Sequence, residues 1–320
     1  MSVNAADSAR IKKITKHLKM KHLLKIGFTS VLIVAALSSL TAQRSRPLAG
    51  FELQAHRGGR GLMPENTLQS EKNAVDLGTT LEMDLQLSKD LQVVVSHDGY
   101  FNADFSLTPE GAQMTKKEGV QRILFNMPYD SIKKYDVGSK PHPGFARQHK
   151  LKAYRPLLSE LIDSVEAYSK TKGHVNHYNI EIKSSPKADG LYYPSLDFYI
   201  SQAMQVIKDK GIASRTLMQS FDVRALKILH ESYPDMPLSY LVTQKNSGTA
   251  EHYINLLGFT PQVFSPEYSI VTPEMVADFH ALGIKVIPWT VNELADMRRL
   301  KDMGVDGLIS DYPDLYQQLK

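Results

Sequence analysis

Short apolar runs alternate with longer amphipathic stretches along most of this 320-residue chain. The short runs are rich in Val, Ile, Leu and Phe, which is typical of buried strands, while apolar residues spaced three and four apart are typical of helices. The pattern predicts nine strands, over residues 51–56, 80–87, 91–97, 178–183, 216–221, 238–242, 262–265, 285–291 and 307–310. It predicts helices between most of them, among them 67–77, 157–170, 195–210, 223–232, 273–282 and 293–303.

The alternation of strands and helices predicts the fold class. Strands separated by single helices form right-handed βαβ units and a parallel sheet. Roughly eight such units over about 250 residues predict an α/β fold, a distorted (β/α)8 TIM barrel. The ninth strand has a local explanation, because residues 85–93 alternate like two strands joined by a tight turn at Lys89 and Asp90. We therefore predict a β-hairpin arm after the second barrel strand.

Residues 99–155 interrupt this rhythm. They are rich in Pro, Gly, Lys and Tyr and show no strong period. A segment of this length is too long for a simple connection in a compact domain, so we predict a lid-like insertion. The predicted organisation is a short tether at 43–50, followed by one barrel domain at 51–320 that carries the insertion.

The N-terminus has the pattern of an export signal. Its first 25 residues are basic, and an uncharged apolar stretch follows from Ile26 to Leu40. Small residues then surround Ala42, where a signal peptidase would cut. We predict a signal peptide at 1–42 and a periplasmic or extracellular product. The alternative is an uncleaved membrane anchor, but the eighteen uncharged residues between Lys25 and Arg44 are marginal for a full span.

Charge and cysteine content narrow the function classes. The net charge of +4 comes from the first 25 residues, which carry seven basic residues and one acid, so subtracting their +6 leaves −2 for the rest. The body therefore gives no sign of a nucleic-acid partner. Because the chain has no cysteine, a lipoprotein anchor and disulfides are both excluded. An exported product would contact a membrane only through an uncleaved N-terminal segment.

The hairpin predicts a cluster of polar groups. If its turn is centred between Lys89 and Asp90, paired residue numbers sum to 179, and Glu82 lies opposite His97. Asp84 lies two residues from Glu82 and therefore shares its face. Two carboxylates beside an imidazole on an apolar strand are costly to bury unless a cation compensates them, and Mg²⁺ and Ca²⁺ both prefer carboxylate oxygens. The alternative is a solvated strand face, which the apolar run at 93–95 argues against.

A second group of polar residues follows the first strand. His56 and Arg57 precede a glycine-rich loop, at the strand end where barrel enzymes place their sites. A planar, permanently charged Arg57 suits a pair of phosphate oxygens. Further along, Asn66 has two interpretations, as the N-cap of the next helix or as support for the site. Glu65 is either a supporting residue or an ordinary acid before the helix.

The later strands add further candidates. Glu181 and Lys183 share one face of an apolar strand, so Glu181 is a candidate third carboxylate ligand and Lys183 a candidate phosphate contact. A structural ion pair is the alternative for both. Phe221 and Trp289, the only tryptophan, lie near strand ends, where they either line a substrate cleft or belong to the core.

Seven short motifs occur in a specific order along residues 51–315. They are HRG-x5-PENT from His56 to Thr67, EMD at 82–84, VVSHD at 94–98, IEIK at 180–183, QSFD at 219–222, WTVN at 289–292 and GVDGLISDYP at 304–313. Each motif is weak evidence alone. Together, in this order and spacing, they closely resemble the glycerophosphodiester phosphodiesterase family.

The resemblance implies a chemistry and a set of roles. It implies a TIM barrel that hydrolyses a small-molecule glycerophosphodiester to an alcohol and sn-glycerol 3-phosphate. The family's general acid and base correspond to His56 and His97, without an indication here of which is which. The family's ligands for one Mg²⁺ or Ca²⁺ correspond to Glu82, Asp84 and Glu181.

The same resemblance assigns phosphate binding to Arg57 and Lys183. One departure lies in the hairpin turn, where the family usually has Asp-Gly and this chain has Asp90-Leu91. Two other functions are compatible with the fold: a phospholipase-type phosphodiesterase that acts on intact lipids, and a non-enzymatic binding protein. The binding protein would predict loss of a histidine or a carboxylate, and none is lost. Head-group preference and oligomeric state do not follow from the sequence.

Overall fold

A computed structural model describes residues 50–319 of the chain. The predicted signal peptide, and all of the predicted tether except Gly50, lie outside these described residues. Within them, no helix combines the length and the apolar character needed to cross a membrane.

Eight parallel strands form a barrel, which confirms the predicted fold class. The strands of the sheet are β1 (Glu52–Ala55), β2 (Thr80–Leu87), β3 (Val93–Val95), β4 (Tyr178–Ile182), β5 (Thr216–Ser220), β6 (Leu238–Val242), β7 (Val263–Pro266), β8 (Lys285–Val286) and β9 (Gly307–Ser310). Their order is β8-β7-β6-β5-β4-β2-β1-β9, and β3 pairs only with β2. Backbone hydrogen bonds from Asp306 to Val286 (2.8 Å) and from Ile309 to Pro288 (3.0 Å) join the two ends of the series.

Helices connect the strands on the outside of the barrel. In the described residues they are α1 (Leu68–Asp76), α2 (Lys116–Gln121), α3 (Tyr129–Ile132), α4 (Leu158–Lys172), α5 (Leu196–Asp209), α6 (Val223–Ser232), α7 (Ala250–Leu257), α8 (Pro273–Ala281) and α9 (Leu294–Asp302). Side-chain caps explain several of the starts, for example Thr67 before α1 and Asp222 before α6. A 3₁₀ turn at Pro313–Gln318 replaces the eighth helix of a regular barrel.

Both faces of β2 are covered, because its outer residues pack on helices and its inner residues point into the barrel. Leu81, Met83 and Leu85 are fully buried in the main hydrophobic core. Glu82 and Asp84, on the opposite face, are each 1% exposed. The solvated-face interpretation of these two acids is therefore wrong.

The hairpin of β2 and β3 is present, but its predicted register was wrong. Leu85 pairs with Val95 and Leu87 with Val93, so paired numbers sum to 180 and not 179. The turn is a three-residue loop closed by Ser88 N–H donating to Gln92 O (3.0 Å). Leu91 supplies the left-handed residue of this loop, with φ of 63°.

A shift of one residue moves each cross-strand partner to the other face of the sheet. The pairing of β2 with β3 ends at Leu85 and Val95, so Glu82 has no partner on β3 and does not lie opposite His97. His97 follows the end of β3 instead.

The predicted insertion has a small hydrophobic core of its own. Its members are Val94, Phe101, Ala103, Phe105, Met114, Leu124, Ile132, Val137 and Ala153. Val94 belongs to β3, so the hairpin arm links this small core to the barrel. Arg155, at the end of the insertion, is buried and donates to the carbonyl oxygen of Tyr100 (2.9 Å).

Replacing Leu91 by Gly is expected to stabilise the protein. A left-handed backbone conformation costs a residue with a side chain about 1–2 kcal/mol, and glycine removes this strain. Part of that stabilisation is offset because glycine also increases the conformational entropy of the unfolded chain. Leu91 is 38% exposed, so little burial is lost. We expect Leu91→Gly to raise the free energy of unfolding by ~0.5–1 kcal/mol in urea titrations. The control Leu91→Ala keeps the strained backbone and should give no gain; an unchanged Leu91→Gly would contradict this account of the turn.

The burial of Glu71 is expected to make the stability of the protein depend on pH. Its side chain is fully buried, and neither carboxyl oxygen has a hydrogen-bond partner among the described residues. Burial raises its pKa well above the usual value, and the charges of Glu82 and Asp84 raise it further. The folded state therefore holds this proton more tightly than the unfolded state, and stability falls as pH rises above about 4.3.

Glu71→Gln should remove this loss. We expect equal stability of Glu71→Gln and wild type near pH 4, and an advantage of about 1–3 kcal/mol for the variant at pH 8, in urea titrations with a chelator present. Glu231→Gln, at an exposed position, serves as the control. A difference between Glu71→Gln and wild type that does not change with pH would show that Glu71 is not the buried acid responsible.

Candidate active site

A cleft of about 240 Å³ opens at the carboxyl ends of the barrel strands. Its lining residues are His56, Arg57, Arg60, Glu82, His97, Glu181, Lys183, Gln219, Phe221, Leu241, Trp289, Thr290 and Ile309. Most of the residues predicted from the sequence are thus brought together here. Asp84, Glu65 and Asn66 do not line the cleft, but they contact residues that do.

Three carboxylates meet at the base of the cleft. Glu82, Asp84 and Glu181 each offer an oxygen within 4.8 Å of the others, and all three side chains are buried. The parallel register of β2 and β4 explains the closeness, because Asp84 pairs directly with Glu181. Three carboxylate oxygens are a donor set that hard divalent cations prefer.

Both oxygens of Glu82 are held by hydrogen bonds. The main-chain N–H of Arg57 donates to Oε2 (2.7 Å), and the Gln219 side chain donates Nε2 to Oε1 (2.7 Å). The main-chain contact follows a bend after β1, where Arg57 has a left-handed φ of 53°. Gln219 was not predicted from the sequence, although it begins the QSFD motif and therefore lies near a strand end.

Asn66 binds Asp84 and does not cap the helix. Its Nδ2 donates to Asp84 Oδ2 (2.9 Å), and its Oδ1 accepts from the Asp84 main-chain N–H (3.2 Å). The N-cap of α1 is Thr67, whose side chain accepts from Ser70 N–H. The N-cap interpretation of Asn66 is therefore wrong. A φ of 56° at Asn66 turns its side chain away from the helix start and toward β2.

Arg57 joins this group through its guanidinium. It donates Nη1 to Glu65 Oε1 (3.0 Å), and its Nε lies 3.2 Å from Asp84 Oδ2 without the angle of a hydrogen bond. Lys183 Nζ lies 2.9 Å from Glu181 Oε1 and 3.9 Å from Asp84 Oδ1. The ion pair considered for Lys183 and Glu181 is thus present, and it lies inside the cleft.

Burial and charge set the ionisation of the three acids. Burial, with the charge of Asp84 added, raises the pKa of Glu82 well above its usual value. Burial likewise raises the pKa of Glu181 to about 7, against the opposing effect of Lys183. Burial also disfavours ionised Asp84, but Arg57, His97, Lys183 and the hydrogen bond from Asn66 together outweigh it, and the pKa of Asp84 lies below its usual value. Burial and the nearby charge of Asp84 thus disfavour the ionised forms of Glu82 and Glu181, whereas the neighbouring cations keep Asp84 ionised.

A divalent cation fits this arrangement. Asp84 Oδ1 is buried and has no hydrogen-bond partner among the described residues, although it faces the other two acids. A cation between the three carboxylates would supply that missing partner and offset the repulsion. The group Glu82, Asp84 and Glu181 is thus a candidate metal centre.

His56 is held by a buried carboxylate that sequence analysis missed. Its Nδ1 lies 2.6 Å from Asp311 Oδ1. The same oxygen accepts from Arg60 Nε (2.8 Å), and Asp311 Oδ2 accepts from Asn292 Nδ2 (2.8 Å). Burial lowers the pKa of His56 to about 4; Asp311 opposes this shift, while the nearby Arg57 and Arg60 add to it. Asp311 and Asn292 both lie in the quoted motifs, which was the available signal.

His97, which also lines the cleft, has a similar partner. Its Nδ1 lies 2.8 Å from Asp98 Oδ1, and Asn102 Nδ2 donates to Asp98 Oδ2 (3.1 Å). Burial opposes ionisation of Asp98, but the hydrogen bond and charge of His97, with Arg155 and Asn102, together outweigh it, and the pKa of Asp98 falls to about 2. Because a carboxylate occupies Nδ1 in both His56 and His97, Nε2 is the nitrogen left to each for a substrate.

Two aromatic rings form an apolar wall beside Lys183. Phe221 and Trp289 meet edge to face with ring centres 5.3 Å apart, and Lys183 Nζ lies 5.6 Å from the centre of the Phe221 ring. Trp289 is fixed by its Nε1, which donates to Ser265 O (2.9 Å). Both rings thus line the cleft, and Trp289 also packs against a small buried cluster that includes Ile287 and Ile309.

Comparison with known proteins points to one family. The sequence model of the glycerophosphoryl diester phosphodiesterase family matches residues 56–315. A glycerophosphodiester phosphodiesterase from Caldanaerobacter subterraneus subsp. tengcongensis is 30% identical over 262 residues, which cover 81% of this chain and 93% of the relative.

Solved structures agree with this match. A proposed glycerophosphoryl diester phosphodiesterase from Silicibacter pomeroyi superposes with a TM-score of 0.76 at 30% identity, covering 88% of this chain and 96% of that protein. An Oleispira antarctica phosphodiesterase, solved with its product sn-glycerol-3-phosphate, shares the fold with a TM-score of 0.65 at 23% identity, covering 84% and 96%. The matched residues, the barrel and the cleft lead to one conclusion: the chain belongs to the glycerophosphoryl diester phosphodiesterase family.

Proposed function

We propose that this protein hydrolyses glycerophosphodiesters to an alcohol and sn-glycerol 3-phosphate, using two histidines and one bound Mg²⁺ or Ca²⁺. The observation that carries the proposal is that two carboxylate-bound imidazoles, His56 and His97, line the same cleft as the buried carboxylate triad. Membership of the family and the sn-glycerol-3-phosphate found in the Oleispira antarctica protein support the choice of substrate class.

The cations of the cleft suit a phosphodiester. Arg57 and Lys183 line the cleft next to the triad, where they would bind the anionic phosphate oxygens. Glu82, Asp84 and Glu181 would hold the divalent cation, which supplies charge neutralisation at the phosphate when bound. Arg57 is already oriented by Glu65, so little freedom is lost when a substrate arrives.

Proton transfer would fall to the two histidines. One Nε2 accepts the proton of the attacking oxygen, and the other histidine gives a proton to the leaving alcohol oxygen as the P–O bond breaks. The attacking oxygen belongs either to water or to a hydroxyl of the substrate's glycerol; in the second case a cyclic phosphate forms and water then opens it. Asp311 and Asp98 hold the Nδ1 side of each ring, which orients the Nε2 atoms of His56 and His97.

The size of the cleft favours a deacylated diester. At about 240 Å³ it is smaller than the ~300–1,000 Å³ pockets that enclose drug-sized ligands. A glycerophosphate group and a small alcohol fit such a volume, whereas acyl chains would extend beyond it. We therefore place hydrolysis of intact lipids second.

Removing the metal should abolish the activity. We expect chelator-treated protein to release no glycerol 3-phosphate from glycerophosphodiesters, and added Mg²⁺ or Ca²⁺ to restore the release. His56→Ala should lower kcat by about 10²–10⁴-fold, because it removes one proton-transfer group. His174→Ala, at an exposed position, is the matched control.

Three outcomes would contradict the proposal at different levels. If no diester is hydrolysed with either metal, the proposed function is wrong. If His56→Ala retains full activity, the assigned histidine roles are wrong. Faster hydrolysis of a lysophospholipid than of the deacylated diester would favour the lipid-directed alternative.

Asp311→Asn tests the orientation of His56. We expect kcat to fall by about 10²–10⁴-fold, because the uncharged amide would hold the ring less firmly and allow the wrong tautomer. Since the charge of Asp311 raises the pKa of His56, its loss should move the His56 limb of the pH–rate profile to lower pH. Asp306→Asn is the control, because it breaks an Asp–His contact with His280 (2.7 Å) outside the cleft. Equal effects of both substitutions would argue for a purely structural role of Asp311.

A further inference from the structure

A chain of three buried amides lies inside the barrel next to Glu82. Gln54 on β1, Asn179 on β4 and Gln219 on β5 are each 1% exposed. Asn179 Nδ2 donates to Gln54 Oε1 (2.7 Å) and to Gln219 Oε1 (3.0 Å). Gln219 Nε2 then donates to Glu82 Oε1 (2.7 Å). The hydrogen bonds therefore start at Asn179 and run two ways, to Gln54 on one side and through Gln219 to Glu82 of the carboxylate triad on the other.

The direction matters because the two ends of an amide are not equivalent. Each side-chain amide has an oxygen that only accepts and an NH₂ group that only donates. Since Asn179 gives an N–H to Gln219 Oε1, the NH₂ group of Gln219 must face the other way, toward Glu82. The reverse orientation would put Gln219 Oε1 against Glu82 Oε1, two acceptors in a dry site, which is unfavourable.

The other oxygen of Glu82 is already fixed. Oε2 accepts from the main-chain N–H of Arg57, a donor that cannot rotate away. With Gln219 on Oε1, the carboxylate is held at both ends, and its plane is set before a cation binds. Asn179 Oδ1 has no hydrogen-bond partner among the described residues, so the cost of this arrangement falls on Asn179 and not on Glu82.

We propose that Gln219 is a positioning residue for the metal-binding carboxylate of Glu82, and that Asn179 determines which end of the Gln219 amide faces that carboxylate. The proposal rests on the proposed function, since it concerns the cation of that site. Asn179 is distinctive because its side-chain hydrogen bonds are with Gln54 and Gln219, not with the triad. Its effect on the metal would be transmitted entirely through Gln219.

Metal affinity is the direct test. Groups that hydrogen-bond to a metal ligand typically change metal affinity by ~10–100-fold when they are lost. We expect Gln219→Met, which keeps the side-chain length and removes the donor, to weaken Mg²⁺ and Ca²⁺ binding by this factor in isothermal titration calorimetry of the full-length protein. Asn179→Leu keeps the branching of the side chain and removes the amide, and we expect a loss in the same direction.

The chain offers a matched control at the other end of the barrel. Gln262 precedes β7, and its Oε1 accepts from Leu238 N–H (2.8 Å). Gln262→Met makes the same chemical change as Gln219→Met but outside the amide chain, so metal affinity should stay at the wild-type value. Unfolding temperatures of the metal-free proteins would show that each variant is folded. If Gln219→Met does not fold, Gln219→Asn can replace it, because the shorter side chain moves the NH₂ donor away from Glu82. We expect the same loss of metal affinity.

A second readout separates positioning from general damage. Because Gln219 acts on the cation through Glu82, kcat of Gln219→Met at saturating metal should return to within about tenfold of wild type, while half-saturation by metal shifts upward. A structurally damaged site would lose kcat at every metal concentration, and that result would overturn the proposal.

The binding results distinguish this proposal from the proposed function. If wild type binds neither cation, the proposed function itself is contradicted. If wild type binds and Gln219→Met binds equally well, only the positioning role is overturned. If Asn179→Leu binds metal with wild-type affinity, Asn179 has no role in positioning Glu82. If Gln262→Met loses as much metal affinity as Gln219→Met, the effect is not specific to the chain of buried amides.

Discussion

The structure depends on one electrostatic constraint, the burial of three carboxylates within 4.8 Å of one another inside an apolar barrel. Ionised acids in such a place repel one another and lose hydration, so every neighbour must offset that cost. Arg57 and Lys183 provide positive charge, and Asn66 and Gln219 provide N–H donors. A divalent cation would complete the compensation, so the same residues would serve both stability and the proposed chemistry.

The loop after β1 is organised by this constraint. Left-handed φ values at Arg57 and Asn66 direct one main-chain N–H and one side-chain amide at two different carboxylates. The same loop holds Arg60, which contacts Asp311 behind His56. A single connection thus supports both the metal centre and one of the histidines, and its backbone conformation is tied to the site rather than to helix capping.

Much of this was readable in the sequence. Apolar runs separated by helices predicted the barrel, and motif order with strand-end position added His56 and Glu181 to the predicted site. The hairpin register was not readable, because one residue in the turn decides which face every partner occupies. Leu91 adopts a backbone conformation that its type disfavours, so local preference predicted a shorter turn than the one that forms.

The sequence by itself determined the fold class, the family and the set of polar residues at the strand ends, since periodicity and motif order depend only on neighbours along the chain. Tertiary structure decided which groups touch. Asp311 reaches His56 across 255 positions, and Gln219 reaches Glu82 across 137, and no local pattern encodes such a contact. The physical reason is that parallel register and barrel closure set these distances, and both result from packing of the whole barrel.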